Sequence, residues 1–202
     1  ARLHHDLAVY ERMSGHPGKA RRHARKALDL RIRLGDRSGE ADAWHNLGTL
    51  AHARGDWPSA MRAYGKGRVL YVALGAGNRW LALEINEAAL LLDLGEDSEV
   101  LSRIGGLRER AGVEGDPALR AYLGLLEGHA SLMAGNLARA LEVLGSLLAD
   151  PPTGVSPAMR AEALRLLGAV HGRSGDPTRA SERIRNSLET AMRASDPLQE
   201  AL

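Results

Sequence analysis

Five glycines, Gly15, Gly55, Gly95, Gly135 and Gly175, stand at intervals of forty residues with no insertion or deletion between them. A fixed period of this length is the mark of a chain built by stacking one supersecondary unit on the next. Two other positions keep the same period. Five residues after each glycine comes Ala20, Ala60, Val100, Ala140 or Ala180, and seven before it comes Ala8, Gly48, Ala88, Gly128 or Gly168. Between these markers the apolar residues recur every three or four positions, as in Trp44, Leu47 and Ala51 and again in Ala60, Tyr64 and Tyr71, and never alternate with period two. That spacing predicts helices, not strands. The periodic glycine can supply the left-handed residue that ends a first helix. Asp56, Asn136 and Asp176 can cap the start of a second, with Pro58 and Pro177 in its first turn. Each unit is therefore expected to be a helical hairpin, with small residues such as Gly48 and Ala60, or Gly168 and Ala180, facing one another where the two helices approach.

The predicted helices span about 2–14, 17–34, 38–54, 57–74, 79–94, 97–111, 117–134, 137–149, 157–174 and 177–194, with boundaries good to about 2 to 4 residues. A second set of turns is also periodic, with Gly35, Gly75 and Gly115 forty apart and Asp36, Asp116 and Asp196 eighty apart. The least regular stretch, from Asp150 to Pro157, reads as a turn-rich connection. One hairpin cannot bury its own apolar face, so stability has to come from neighbours. The expected organisation is a single array of repeats at about 1–36, 37–76, 77–115, 116–155 and 156–196, with a further helix starting near Pro197. The chain starts without an initiator Met and ends on that opening helix, so a piece of a longer protein is expected.

Composition removes several function classes. The chain has 202 residues, 44% of them apolar and 26% charged, which suits a folded chain and excludes a disordered or collagen-like one. Its net charge of +2 points to neither nucleic acid nor an anionic membrane as the general partner. Cysteine is absent, which removes disulfides, thiol nucleophiles and cysteine zinc sites and suits a cytoplasmic location. No apolar run is long enough to span a bilayer and the start has no signal-peptide pattern. Arg outnumbers Lys by 24 to 3, a bias expected from a GC-rich bacterial genome. No phosphate loop, dinucleotide fingerprint or nucleophile elbow is present, so neither catalysis nor a cofactor is expected.

The run Trp44-x2-Leu47-Gly48-x6-Gly55-Asp56-x3-Ala60-x3-Tyr64 resembles the tetratricopeptide repeat, and Leu167-Gly168-x6-Gly175-Asp176-x3-Ala180 is a second good copy. The forty-residue period is similar to the long-helix variety in kinesin light chains, Pins-type adaptors and large bacterial regulators. The segment from Leu34 to Gly48 is most like those regulators. The resemblance implies an all-α, right-handed superhelix of about five hairpins. It also implies that the first helix of each repeat lines a concave groove for a peptide or helix, so that the partner is a protein or peptide. Glu87 and Glu127 depart from the pattern, standing where Leu7, Leu47 and Leu167 stand in other repeats. They are expected at an exposed hairpin edge or bonded to a nearby arginine.

Mapped onto this chain, the implied groove draws His5, His45, Asn46, Thr49 and His52 from the first two repeats and Ile85, Asn86, Ala89, Tyr122, Leu125 and His129 from the next two. The first half is polar and the second largely apolar. Asn46 and Asn86 recur where related arrays hold a ligand's backbone, a task that suits an amide because it offers a donor and an acceptor together. The alternative is that each Asn bonds the neighbouring hairpin. Leu125 likewise could pack inside its hairpin. His5, His45 and His52 could share one strip, but without Cys or an HExxH pattern they are expected as polar surface groups and not metal ligands.

Charge falls unevenly along the chain, +5 over the first forty residues and −5 over residues 81–120. Lys19, Arg21, Arg22, Arg25 and Lys26 cluster on the second helix of repeat one. A solvated face or a domain contact accounts for them better than nucleic acid, since no base-reading module accompanies them. Self-association through end repeats is a further possibility the repeat pattern leaves open.

Overall fold

A computed structural model describes residues 1–114, 117–151 and 155–195. Among them ten helices follow in order: α1 (Arg2–Met13), α2 (Pro17–Arg33), α3 (Arg37–His52), α4 (Trp57–Ala73), α5 (Gly77–Asp93), α6 (Asp97–Glu114), α7 (Pro117–Met133), α8 (Leu137–Ala149), α9 (Pro157–Arg173) and α10 (Pro177–Ser195). All are where the periodicity predicts them. The largest end shift is in α6, where Ile104, Leu107 and Ala111 are all buried, so the helix runs through Gly105 and Gly106 and on past residue 111. The helix expected from Pro197, the turn positions Gly115, Asp116 and Asp196, and residues 152–154 of the connection lie outside the described residues.

The hairpin turn is one construction used five times. Gly55 has φ of +70°. Its N–H donates to the His52 carbonyl at 2.9 Å, while the Asp56 N–H reaches back to the Ala51 carbonyl at 3.0 Å. The same pair of bonds closes the turns at Gly15, Gly95, Gly135 and Gly175. It satisfies carbonyls that a helix end otherwise leaves orphaned, and it needs a left-handed residue at the glycine. Three of the five turns add a side-chain cap: Asp56, Asn136 and Asp176 accept from the backbone N–H of Ser59, Arg139 and Arg179 at 3.3, 3.2 and 3.0 Å. Each such cap satisfies a backbone N–H that the start of a helix otherwise leaves without a partner.

The chain forms two compact units, Ala1–Leu90 and Leu91–Leu202. In the first, α1 packs on α2, α2 on α3 and α3 on α4. Its apolar core has one cluster around Ala8, Ala20, Ala24 and Leu50, and another around Tyr64, Tyr71, Leu83 and Leu90 with Trp44 and Trp80 against it. In the second, α6 packs on α7, α7 on α8, α8 on α9 and α9 on α10, and α7 also lies beside α9. Leu125, Leu132, Leu144, Leu166 and Leu167 form its centre, each burial of a leucine being worth about 1.5–3 kcal/mol.

Where the small position before the turn is glycine, at Gly48, Gly128 and Gly168, it accommodates a residue sixteen further on, a larger neighbour than the one expected. A Cβ placed on Gly48 would come within 2.4 Å of the Tyr64 ring, and one on Gly128 within 2.4 Å of Leu144. At Gly168 it would meet Ile184 at 2.7 Å as well as the Ala180 carbonyl at 3.2 Å. Ala60 is buried in the same cluster as Tyr64, but it is the tyrosine ring that fills the space over Gly48.

Glu87 and Glu127 are buried, 3% and 6% exposed, which corrects the expectation of an exposed edge. The arginine half of that expectation holds. Arg68 reaches Glu87 at 3.5 Å and Glu84 at 3.7 Å. Glu127 lies between Arg108, in close contact with one carboxylate oxygen, and Arg139, which meets the other at 2.6 Å. In both cases the arginine stands nineteen residues before the glutamate, on the preceding helix. The same two positions elsewhere hold Leu28 with Leu47 and Leu148 with Leu167. Buried carboxylates are tolerated only when paired, so glutamate at the second position requires arginine at the first.

Candidate binding surfaces

In the first unit the first helices α1, α3 and α5 carry a ladder of imidazole and amide groups. The Asn46 Nδ2 group lies 3.1 Å from His5 Nδ1, and the Asn86 Nδ2 group lies 2.6 Å from His45 Nε2. Each asparagine follows its histidine by forty-one residues, one period plus one, so the next hairpin brings it alongside. With the amide N–H donating, each ring nitrogen accepts and each ring is neutral at that nitrogen. The alternative that each Asn bonds the neighbouring hairpin is the one seen. Its consequence is that two amides are held at a repeat-long spacing, with the carboxamide oxygens outside both contacts.

His45 is the best-supported member. Its ring meets Tyr64 and Tyr71 edge-on, with centroids 6.0 and 6.3 Å away. The Thr49 hydroxyl donates to its carbonyl at 3.2 Å, closing a bond within α3. Behind it Asp42 accepts from the Tyr71 hydroxyl at 2.8 Å and pairs with Arg79 at 3.3 Å. Burial and then the Asp42 contact push the Tyr71 phenol above its ordinary range. Burial lowers the His45 pKa from 6.5, against a smaller upward pull from Asp42.

That direction fixes a pH dependence. A histidine that resists a proton when folded, but accepts one at its ordinary 6.5 when unfolded, stabilises the fold above that pH; the stabilisation is lost as the pH falls through the folded pKa. His129 on α7 is shifted in the same direction, chiefly by burial and with Glu162 opposing. The thermal midpoint is therefore expected to fall between about pH 7.5 and about pH 5, and His45→Gln to flatten that fall. A midpoint profile in His45→Gln identical to that of the wild type would place the titration on other groups.

The remaining sequence-predicted positions divide by burial. His52 and Ala89 are half-buried on α3 and α5. Ile85 is 1% exposed and Leu125 7%, so both are core side chains that offer nothing to a ligand; on a first helix, their position points between helices when the residue is apolar. Tyr122 is half-buried against the second unit's core, its phenol pushed up by burial and then by Asp93. Among the described residues no three His, Cys, Asp or Glu side chains gather closely enough to hold a metal ion.

One surface was not visible in the residue-by-residue reading. Arg21 and Arg25 of α2 line a cleft together with Arg62 and Lys66 of α4 and with Trp44 of α3. The signal is present in the sequence, since Arg21 to Arg62 and Arg25 to Lys66 are both steps of forty-one.

Repeated hairpins with one turn geometry define a helical-repeat protein, with a polar ladder on the first helices of its first unit. The first 68 residues match the family model described as tetratricopeptide repeat. By sequence the likeness to that family covers those residues, and over the rest of what is described the likeness is one of fold. Solved structures share the fold. A Rap protein, solved in complex with competence and sporulation factor, superposes with a TM-score of 0.81 at 15% identity, covering 96% of this chain and 54% of its own. BtubC from P. vanneervenii gives 0.73 at 19% identity, covering 95% and 80%. A Podosopora anserina kinesin light chain repeat structure gives 0.70 at 14% identity, covering 94% and 93%. This chain thus spans about half the length of the Rap protein. No curated protein matches it by sequence. Among the described residues no helix is long and apolar enough to cross a membrane.

Proposed function

We propose that this chain is a protein-interaction scaffold, part of a larger cytoplasmic regulatory protein of bacterial origin, with no catalysis of its own. It takes a peptide or helix on the first-helix surface of the first unit. The observation that carries this reading is the pair of amides at Asn46 and Asn86, each fixed by a histidine of the preceding hairpin. An amide already held in place loses little freedom on binding, so more of its hydrogen-bond energy appears as affinity. The tetratricopeptide-repeat match over residues 1–68, which include Asn46, supports the assignment.

The test is capture from bacterial lysate with the wild-type chain and with Asn46→Ala combined with Asn86→Ala, followed by titration of whatever partner is identified. Each lost amide contact is expected to weaken binding by about tenfold. Undiminished binding by the double variant would remove the first-helix surface as the site.

A second reading is a sensor, in which a bound peptide or small ligand changes the array's curvature and so regulates an attached module. The likeness to a Rap protein holding competence and sporulation factor favours it. A ligand that binds only the folded state must raise the thermal midpoint, so midpoint scans with candidate small ligands test this reading, and a scan in which none shifts the midpoint counts against it.

A further inference from the structure

The cleft between α2, α3 and α4 in the first unit has a volume of about 500 Å³, within the roughly 300–1,000 Å³ range of specific pockets. Its floor is apolar, made by Leu28, Trp44 and Leu47 with Ala51 and Ala63. Its rim is cationic: Arg21, Arg25, Arg54, Arg62 and Lys66 line it against only Asp29 and Asp56. Asp56 is already engaged in capping α4 through Ser59, and its carboxyl is held below the ordinary range by that bond, with Arg62 and Arg21 adding to the effect.

The rim cations differ from a set of arginines elsewhere in the chain. Arg31, Arg79, Arg108, Arg139 and Arg165 each have a carboxylate partner. Among the described residues, Arg21, Arg25 and Arg54 have none within ion-pair distance, and Lys66 rests over the Trp44 ring, 4.1 Å from its centroid. A set of cations without carboxylates around an apolar floor is complementary to something acidic with an apolar side.

The spacing narrows the choice. Arg21 with Arg25 and Arg62 with Lys66 are each four apart on their helices, about 6 Å along the axis. They form two rows separated by one repeat. Glutamates one helical turn apart would meet such rows, and leucines on the same helix would reach the floor between them. A nucleic acid satisfies the rim but leaves Leu28 and Leu47 uncovered, and the single aromatic ring is already occupied by Lys66.

We infer that this cleft is a second binding surface, distinct from the Asn46 and Asn86 ladder, that takes an acidic helical segment of a partner protein with aliphatic side chains as its anchor. The probe is a short fluorescent helical peptide with leucines on one face and glutamates flanking them, titrated against the whole chain by anisotropy. Arg25→Glu combined with Lys66→Glu changes two exposed side chains, so folding is preserved and circular dichroism checks it. The double variant is expected to bind roughly tenfold or more weakly, the wild-type affinity to fall steeply with salt, and the glutamine version of the peptide to bind poorly. Asn46→Ala with Asn86→Ala is expected to bind this peptide as the wild type does, so either surface can fail without the other. Three results would overturn the inference: equal binding by wild type and the charge-reversed variant, no binding by the wild type, or charge-dependent binding of an oligonucleotide or of a second copy of the chain in place of the peptide.

Discussion

Removing both cations from Glu127, by Arg108→Ala combined with Arg139→Ala, is expected to destabilise the second unit by about 3 kcal/mol. Glu127 is 6% exposed and its partners are those two arginines. Without them the carboxylate must either stay charged in an apolar interface or take up a proton and still lack hydrogen-bond partners. The arginine side chains are themselves 44% and 37% exposed, so water can enter where they stood, which keeps the loss near the lower end of what stranded buried charges cost. Urea unfolding measures it. Arg108→Leu combined with Glu127→Leu makes the opposite prediction, because it rebuilds the pairing of Leu28 with Leu47 and of Leu148 with Leu167, while Arg139 keeps Glu142 at 2.9 Å. Stability there is expected to be unchanged or higher. A loss as large as that of the double alanine variant would show that the ion pair is favourable in itself, beyond satisfying its own charges.

Gly48→Ala is expected to cost about 2 kcal/mol, an unusually large effect for one methyl group in a helix. The added Cβ would lie 2.4 Å from the Tyr64 ring, and that ring is 0% exposed with no open side to move to. Repeat one shows the permitted alternative, since Ala8 and Ala24 occupy the equivalent positions and share one cluster. Combining Gly48→Ala with Tyr64→Ala recreates that pair, so the two losses are expected to sum to less than their separate values in a double-mutant cycle. Gly65→Ala is the control. It too lies in a helix but has nothing within 4 Å of an added Cβ, and is expected to gain roughly 0.5–1 kcal/mol. If Gly48→Ala and Gly65→Ala behaved alike, close approach at Gly48 would not be what selects glycine there.

The helices and turns were legible because every element carries a local signal that repeats. The left-handed residue at Gly55 and the capping carboxylate at Asp56 are adjacent in the chain, and the helix they join is read from its own spacing. The arrangement between hairpins was less legible, because it depends on the offset from one repeat to the next and each offset is short by only a residue or two in sequence terms. Asn46 could be seen to recur as Asn86, but that each would be held by His5 and His45 required knowing that position six of one repeat stacks on position five of the last. Ile85 and Leu125 fall at that same position five. There an imidazole remains half-solvated and bonded, whereas an aliphatic side chain is drawn into the core. The basic cleft was divided between two repeats, so a count along α2 alone registered its cations and missed their apolar floor.

The arginine and glutamate contacts also act as keys that fix the order in which hairpins can be assembled. The turn geometry is nearly identical in all five repeats, so shape alone would allow one hairpin to be exchanged for another. A hairpin carrying Glu127 stacked after one that presents Leu28 or Leu148 would bury an acid against a leucine, and Arg68 placed before Leu47 or Leu167 would lose its glutamates. Misordered or swapped assemblies are thereby penalised at the interface itself. A chain of near-copies thus carries its own numbering, written in charge inside a framework written in shape.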